Sequence, residues 1–281
     1  MKLNEILLIA LALAIFFVST AAAGEILNPG EINETFIVHD GETLWIHPGD
    51  SLSIAANFVI ESGGIFINEG DSLRVSVSQF TVKQNGTFVN RGDWFRTQMS
   101  EFNFENNSII INEGTLYFGD TSINNFAYIN NSGSFGVSDF AILNNYGTVY
   151  NTGTLGFIGS VYNHGLIETF GQMNILPLYH FENMETGIIN NNGLISLAKR
   201  ITNNGIINNY GDFMGFETVY NNGAIICYPG STFGGDTELR IIVEGNPVQW
   251  ANQENNIPEF PTIALPMIAI IGLALFFKRR K

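Results

Sequence analysis

The chain has 281 residues, of which 45% are hydrophobic and only 14% charged, with 30 Gly and 23 Phe. Amphipathic helices need more Lys and Glu than this to cover their outer faces, so the composition argues against a mainly helical domain. Because 12 Lys plus Arg stand against 26 Asp plus Glu, the surface repels a phosphate backbone and we expect no nucleic acid partner. The single cysteine, Cys227, excludes an intramolecular disulfide and a Cys-based zinc site.

Residues 1–23 have the pattern of a secretory signal peptide. Lys2 precedes an apolar run from Ile6 to Val18, and small residues follow up to Ala23. We therefore predict export and cleavage between Ala23 and Gly24, with an uncleaved N-terminal anchor as the alternative.

From residue 39 to residue 236 the chain repeats a unit of 18 to 22 residues. The unit is clearest in residues 201–223, where Gly205, Gly211 and Gly223 each stand at a fixed place in the repeat. About ten units follow one another, which is typical of a solenoid. Tyr179 to Glu182 are predicted to be extra residues. The predicted unit starts are His39, Ile60, Val82, Phe104, Ile123, Leu143, Val161, Asn183, Ile201 and Val219.

Within each unit, alternate residues from place five to place thirteen read Gly, apolar, Asn, Gly, apolar, as in Gly147 to Leu155. Period-two alternation predicts strands, and we interpret the Gly and Asn as left-handed corner residues. Place seven is a predicted core column: Trp45, Phe66, Phe88, Ile110, Ile129, Val149, Ile167, Ile189, Ile207 and Ile225. Place nine is a predicted column of amides that hydrogen-bond from coil to coil: His47, Asn68, Asn90, Asn112, Asn131, Asn151, Thr169, Asn191, Asn209 and Cys227.

These patterns predict an all-β, single-stranded parallel β-helix with two or three strands per coil, flanked by the signal helix and a C-terminal transmembrane helix. Residues 24–38 would form the N-terminal cap and residues 237–250 a C-terminal cap strand. We favour a right-handed coil, because a left-handed hexapeptide helix keeps strict six-residue spacing. The Asn-x-Gly-x-Ile cadence resembles the repeat style of right-handed β-helical adhesins such as filamentous haemagglutinin, a resemblance that assigns no residue roles.

Asp50, Asp71 and Asp93 occupy the same place in successive early units. Stacked carboxylates repel one another unless a cation intervenes, so they are candidate Ca²⁺ ligands. The alternative is that they are solvated corner residues neutralised by Arg74, Arg91 and Arg96, and we favour it, since each unit supplies only one acid.

Outward places of the early units are also apolar, which predicts a mating surface for another copy or an envelope component, or a strip covered by the N-terminal cap. Its residues are Leu44, Ile46, Ile65, Ile67, Val89, Ile109 and Ile111. Four sequons make Asn33, Asn85, Asn106 and Asn130 candidate glycosylation sites on an exported chain.

Some parallel β-helices are pectate-lyase-like enzymes, which need paired carboxylates, or Ca²⁺ with a basic proton acceptor. Between Glu113 and Glu182 the chain has no Lys or Arg. We therefore expect no catalytic residues and no cofactor, with a polysaccharide lyase or glycoside hydrolase as the alternative. The candidate side chains for that alternative are Asp120, Asp139, Glu168, His164 and His180.

After a polar linker at residues 251–257, Pro258-Glu259-Phe260-Pro261 precedes sixteen uncharged residues and the basic terminus 278–281. Physically this is a membrane anchor with its basic end in the cytoplasm. The order of parts resembles the PEF-CTERM sorting signal of archaeal surface proteins. That resemblance implies recognition by an archaeosortase and replacement of the tail by a lipid. We therefore expect a non-enzymatic structural or adhesive protein at the extracellular face of the cytoplasmic membrane, with self-association or an envelope component as further partners.

Overall fold

The computed structural model describes residues 24–26, 29–76, 79–92, 95–97, 101–234 and 241–251. The predicted signal peptide and the C-terminal sorting segment lie outside these residues. No helix in the described part of the chain is long and apolar enough to cross a membrane.

The described residues form short strands throughout. The first twelve are β1 (Gly24–Ile26), β2 (Glu31–Ile32), β3 (Phe36–Val38), β4 (Glu42–Ile46), β5 (Ser51–Ile54), β6 (Phe58–Ile60), β7 (Ile65–Asn68), β8 (Ser72–Val75), β9 (Gln79–Val82), β10 (Thr87–Asn90), β11 (Phe95–Thr97) and β12 (Glu101–Phe104). The next twelve are β13 (Ile109–Asn112), β14 (Thr115–Phe118), β15 (Ser122–Asn125), β16 (Tyr128–Asn131), β17 (Ser134–Val137), β18 (Ile142–Asn145), β19 (Thr148–Asn151), β20 (Thr154–Phe157), β21 (Ser160–Asn163), β22 (Leu166–Thr169), β23 (Gln172–Ile175) and β24 (Phe181–Asn183). The last ten are β25 (Ile188–Asn191), β26 (Leu194–Leu197), β27 (Ile201–Asn203), β28 (Ile206–Asn209), β29 (Asp212–Gly215), β30 (Thr218–Asn221), β31 (Ala224–Cys227), β32 (Thr232–Phe233), β33 (Ile242–Gly245) and β34 (Gln249–Trp250).

Every third strand belongs to the same parallel sheet, so the predicted parallel β-solenoid is confirmed. Sheet A runs from β1 to β34 with 12 strands, sheet B from β2 to β32 with 11, and sheet C from β3 to β33 with 11. Each coil therefore has three strands, one in each sheet. Residues 24–38, expected to form a cap, contribute one strand to each sheet next to the following coil.

From Ile142 to Ile175 the strands begin every six residues, with four-residue strands and two-residue corners. The left-handed coil was set aside because it requires strict six-residue spacing, and since these coils keep that spacing, the argument does not apply to them. The right-handed coil stays a prediction.

The longer early units have a local cause. The corners from sheet C to sheet A contain four residues at 61–64, 83–86 and 105–108, where later coils have two. Left-handed backbone occurs in these turns, at Gly63, Asn85 and Asn107. The extra residues near position 180 lie in two corners: the five-residue segment 176–180 before β24 and the four-residue turn 184–187 after it. The prediction that Tyr179 to Glu182 form the insertion was therefore wrong, because Phe181–Asn183 is a strand.

Except at Gly49, whose φ is 88°, the repeat glycines of place eleven are not left-handed, which corrects the reason given for them. From Gly70 to Gly211 their φ angles are not positive. A Cβ at Gly171 would instead overlap the carbonyl oxygen of Gly153 in the preceding coil. These residues are glycine because neighbouring coils approach too closely at this corner for any side chain.

Strands direct alternate side chains inward, and in the unit that starts at Leu143 these are the side chains at places one, three, seven, nine, thirteen and fifteen. The apolar columns are completely buried, and in the early coils the sheet C column is a stack of phenylalanines. Phe58, Phe80 and Phe102 lie with successive ring centroids 5.0 Å apart. Packing of aromatic and aliphatic side chains along the axis supplies the main stabilisation of the solenoid.

The predicted amide column at place nine is confirmed from Asn68 to Thr169 and again from Asn191 to Cys227. Nδ2 of each Asn donates to the next coil, as from Asn90 to Asn112 at 2.8 Å, and every member is buried. Asn151 donates instead to the hydroxyl of Thr169 at 2.9 Å. Oδ1 of Asn68 has no partner, because the preceding coil has Ile46 at this place.

A second amide column, which was not predicted, runs along sheet C. Asn125, Asn145, Asn163, Asn183, Asn203 and Asn221 are buried and linked by hydrogen bonds of 2.7 to 2.8 Å. The early coils carry the apolar residues Ile60, Val82 and Phe104 at the same place, so this second ladder begins only at Asn125.

The predicted register of the second coil was wrong by one residue. Leu44 and Ile46 point inward, opposite Phe66 and Asn68 of the next coil. Trp45 therefore lies on the outer face, where its Nε1 donates to Glu69 at 3.0 Å and its ring lies 4.5 Å from that of His47. The short turn before β4 causes the shift.

Candidate functional site: the outer face of sheet A

The outer face of sheet A carries one carboxylate among its middle and late strands. β16, β19, β22, β25, β28 and β31 contain a single acidic residue, Glu168. In the sheet its neighbours are Tyr150 in the preceding coil and Asn190 in the following coil. Leu166 and Phe170 flank it along its own strand direction. Glu168 is thus framed by two aromatic residues, one aliphatic residue and one amide.

This frame partly removes Glu168 from water. The side chain is half-buried, and burial raises the pKa of its carboxyl group. Within the described residues Glu168 takes part in no hydrogen bond or ion pair. Residues 97–198 contain no Lys or Arg, so this stretch of the rod supplies no basic partner. An ionised carboxylate in such surroundings lacks the compensation that buried charges usually have.

The pKa values of two tyrosines near Glu168 are also raised. Burial raises the pKa of Tyr128 to about 12, and the charges of Tyr150 and Glu168 add to this effect. Burial, followed by the charge of Glu168, also raises the pKa of Tyr150. The rings of Tyr150 and Phe170 lie 5.5 Å apart at an angle of 46°. These phenols stay neutral at physiological pH, so the site combines one negative charge with neutral aromatic rings.

A second group of aromatic residues lies at the corner between sheets C and A. The rings of Phe126 and Tyr146 are nearly parallel at 4.8 Å, and those of Tyr146 and His164 at 4.6 Å. Phe126 and Tyr146 are about half exposed, at 47% and 46%. Because the rings cover each other's faces, this ladder presents mainly ring edges to solvent.

The three aspartates proposed as calcium ligands are placed as follows. Asp50 and Asp71 are exposed and adjacent, with the backbone N–H of Asp71 donating to the carbonyl oxygen of Asp50 at 2.9 Å. Oδ1 of Asp71 accepts a hydrogen bond from the N–H of Gly49 at 3.2 Å. Asp93 lies outside the described residues. Over the described ranges, no three His, Cys, Asp or Glu side chains form a group that could hold a metal ion. The calcium hypothesis stays a prediction.

Two basic residues of the early coils, Arg91 and Lys83, pair with glutamates at the two corners that border sheet A. Arg91 lies between Glu69, at 2.9 Å, and Glu113, at 2.7 Å. Burial has the largest single effect on the pKa of Arg91 and lowers it, but the hydrogen bonds and charges of Glu113 and Glu69 together outweigh burial, so the pKa is raised. Lys83 is 3.6 Å from Glu61. These pairs stack charges of alternating sign along the rod.

The five residues considered for catalysis are spread over the coil. Asp120 and Asp139 are exposed at the corner between sheets B and C, and His180 is exposed in the segment before β24. His164 belongs to the aromatic ladder, and Glu168 lies on the face of sheet A. The structure does not bring Glu168 together with a second carboxylate on that face.

The sequon asparagines differ in accessibility. Asn33, Asn85 and Asn106 are exposed in turns, whereas Asn130 is half-buried on the outer face of sheet A. Ser108, the hydroxyl residue of the Asn106 sequon, is buried and donates to the carbonyl oxygen of Glu105 at 2.7 Å. Of the processing residues, Gly24 begins β1, while Ala23, Pro258, Glu259, Phe260 and Pro261 lie outside the described residues.

The predicted outward apolar strip is only partly outward. Leu44 and Ile46 belong to the core, and Val89 and Ile111 are 2% and 3% exposed although they point out from sheet A. The segment 24–38 pairs with the end of the solenoid instead of lying over this strip. Self-association through the strip stays a prediction.

Sequence reasoning named Glu168 but missed the aromatic residues that frame it. Tyr150 and Phe170 lie 18 and 2 residues from Glu168, so one neighbour belongs to another coil and the other to the next corner. The absence of Lys and Arg from residues 97–198 was the signal that could have drawn attention to an unpaired carboxylate there.

Comparison with known proteins identifies the C-terminal segment. Residues 257–281 match the PEF-CTERM archaeal protein sorting domain. This match supports an exported, membrane-anchored protein of the cell surface. No curated protein matches the chain.

One solved structure, described as the TibC-catalyzed hyper-glycosylated TibA55-350 fragment, is similar to 83% of this chain and 95% of its own, with 13% sequence identity and a TM-score of 0.31. The functional conclusions below rest on the sorting domain and on the residues of this chain.

Proposed function

We propose that this protein is a non-enzymatic surface rod that is exported, processed by an archaeosortase, and held at the extracellular face of the cytoplasmic membrane. In this position it has a structural or adhesive role. The match of residues 257–281 to the sorting domain carries the proposal. The rigid solenoid supports it, because stacked coils with buried amide ladders present extended, regular faces to the surroundings.

The absence of an assembled acid–base pair at Glu168 supports a binding role over catalysis. A raised carboxyl pKa is typical of active sites, but glycoside hydrolysis requires a second carboxylate on the other side of the bond. Sheet A supplies only Glu168 on the six strands described above, and its outer face there is a strand surface without a second acid.

Intact mass of the protein extracted from its native membranes tests the export and anchoring steps. We expect a chain that begins at Gly24, has lost the C-terminal segment, and carries the added mass of a lipid. Replacing Pro258, Glu259, Phe260 and Pro261 with alanine is expected to leave the tail in place, whereas the linker variant Asn252→Ala is processed normally. An unprocessed, lipid-free wild-type chain in the cytoplasmic fraction contradicts the proposal.

A further inference from the structure

We propose that the outer face of sheet A around Glu168 binds an arginine side chain of a polypeptide partner. This inference deepens the adhesive role proposed above, and its biological meaning rests on that role. It identifies a ligand class and the residues that contact it.

The first argument is the unpaired carboxylate. Glu168 is half-buried among Tyr150, Leu166, Phe170 and Asn190, without an ion pair or hydrogen bond in the described part of the chain. A carboxylate that has already lost part of its water gains more from a bound cation than a fully solvated one does. A ligand of opposite charge therefore offsets the electrostatic cost of holding this carboxylate partly away from water.

The second argument is that the chain does not fill the site itself. Of the basic residues on either side of the stretch 97–198, Arg91 is held by Glu69 and Glu113. Arg200 lies over the ring of Tyr220 on sheet C, 5.7 Å from the centroid. Neither is a partner of Glu168, so we assign the missing cation to another molecule.

The third argument selects a guanidinium group. The rings of Tyr150 and Phe170, the two aromatic neighbours of Glu168 on this face, lie 5.5 Å apart, so a cation paired with the carboxylate lies beside aromatic side chains. A guanidinium is less strongly hydrated than an ammonium group, and it stacks on aromatic rings while pairing with a carboxylate.

The fourth argument favours a polypeptide over a glycan. Along the same face the aliphatic side chains of Ile188 and Ile206 are 37% and 39% exposed. Apolar contacts beside a charged anchor suit an extended peptide with one arginine and apolar neighbours.

The test uses the full-length protein purified in detergent and two peptides, acetyl-Leu-Arg-Leu-amide and its citrulline analogue, which has the same shape but no charge. Binding is measured by NMR titration of the peptide side-chain protons. We expect the arginine peptide to bind at least about tenfold more tightly than the citrulline peptide, and Glu168→Gln to remove this difference.

Two further variants separate a specific site from general attraction to an acidic rod. Glu185→Gln removes the same charge from an exposed turn and should leave the affinity unchanged. Phe170→Leu should reduce the upfield ring-current shift of the arginine δ-methylene protons, which general electrostatic attraction does not produce. Circular dichroism establishes that each variant keeps the wild-type fold.

Equal affinity for the two peptides, wild-type affinity in Glu168→Gln, or no binding by the wild type overturns the inference. So does binding of a neutral oligosaccharide at these residues by a protein that ignores the arginine peptide. These outcomes leave the anchoring proposal untouched, because that proposal is tested by mass, and a failure of anchoring leaves the peptide titration unaffected.

Discussion

At the scale of single residues, burial gives the same amide two different energetic roles. Asn163 accepts a hydrogen bond from Asn145 at 2.7 Å and donates to Asn183 at 2.8 Å inside the core. Asn208 donates to Asn190 at 2.9 Å on the outer face of sheet A. Water can replace the bond between Asn208 and Asn190 but not the two bonds of Asn163, so only the buried amides need all their partners within the protein.

We predict that Asn163→Ala lowers the free energy of unfolding by at least about 2 kcal/mol, because it removes the donor to Oδ1 of Asn183 and one acceptor of Nδ2 of Asn145 inside the core. Asn208→Ala, which breaks one bond on the solvent side, should change it by no more than about 0.5 kcal/mol. Urea denaturation measures both. Similar effects of the two substitutions would show that the ladder does not depend on burial.

Glu168 predicts a pH dependence of stability that can be measured without a ligand. Burial raises the pKa of its carboxyl group in the folded state, so protonation favours folding. This contribution is fully present below the ordinary Glu pKa of about 4.3 and is lost as the pH rises through the raised pKa.

Glu168→Gln should therefore be more stable than the wild type at pH 7, and the difference should disappear as the pH falls below about 4. Thermal unfolding at a series of pH values measures this, with Glu185→Gln as the matched charge control. A Glu168→Gln variant that is less stable than the wild type at pH 7 would mean that the carboxylate is stabilised by an interaction within the chain.

At the scale of the structural element, the corners determine how closely the coils approach. The glycines of place eleven form a column in which a Cβ would overlap the carbonyl oxygen of the previous coil, as at Gly171. Gly156, on the outward side of β20, has no atom within 4 Å of the position a Cβ would take. Gly171 is thus required for packing, whereas Gly156 has room for a side chain.

We predict that Gly171→Ala lowers the free energy of unfolding by about 3 kcal/mol, since two backbones must move apart, whereas Gly156→Ala is neutral or slightly stabilising. Thermal and urea unfolding of the two variants measures the difference. If Gly171→Ala were as stable as the wild type, close approach of the coils would not explain the glycine column.

Corner length also explains which columns were predicted from the sequence. Four-residue corners at 61–64, 83–86 and 105–108 shift sheet C relative to sheet A by two residues. The regular spacing of the glycines therefore located place nine correctly. The same spacing placed Phe104 at the start of its unit, in line with Ile123, which is two residues too late. In the structure Phe104 is opposite Asn125, within the column that becomes the second amide ladder.

At the scale of the whole molecule, the rod is a linear array whose ends differ from its middle. Central strands pair with a coil on both sides, while β33 and β34 are terminal in sheets C and A and have mostly exposed side chains. Stability in such arrays is a sum of contacts between neighbours, so the end coils should open first.

Hydrogen exchange followed by mass spectrometry should accordingly find the slowest exchange in strands β15 to β28 and the fastest among the described strands in β33 and β34. Uniform protection along the rod would mean that the solenoid opens as one cooperative unit. Slower hydrogen exchange in β33 and β34 than in β15 to β28 would contradict the description of the solenoid as a linear array that opens from its ends.

The sequence by itself determined the repeat, the parallel β-solenoid, the amide column of place nine and the C-terminal sorting signal. Each of these is visible along the chain, because alternation and spacing within a coil are local properties. Only the tertiary structure decided the second amide ladder, the outward position of Trp45 and the frame of Tyr150, Phe170 and Asn190 around Glu168. These features depend on which residues of neighbouring coils face each other. That register is set by the lengths of all the corners between them, and no single residue in the sequence marks it.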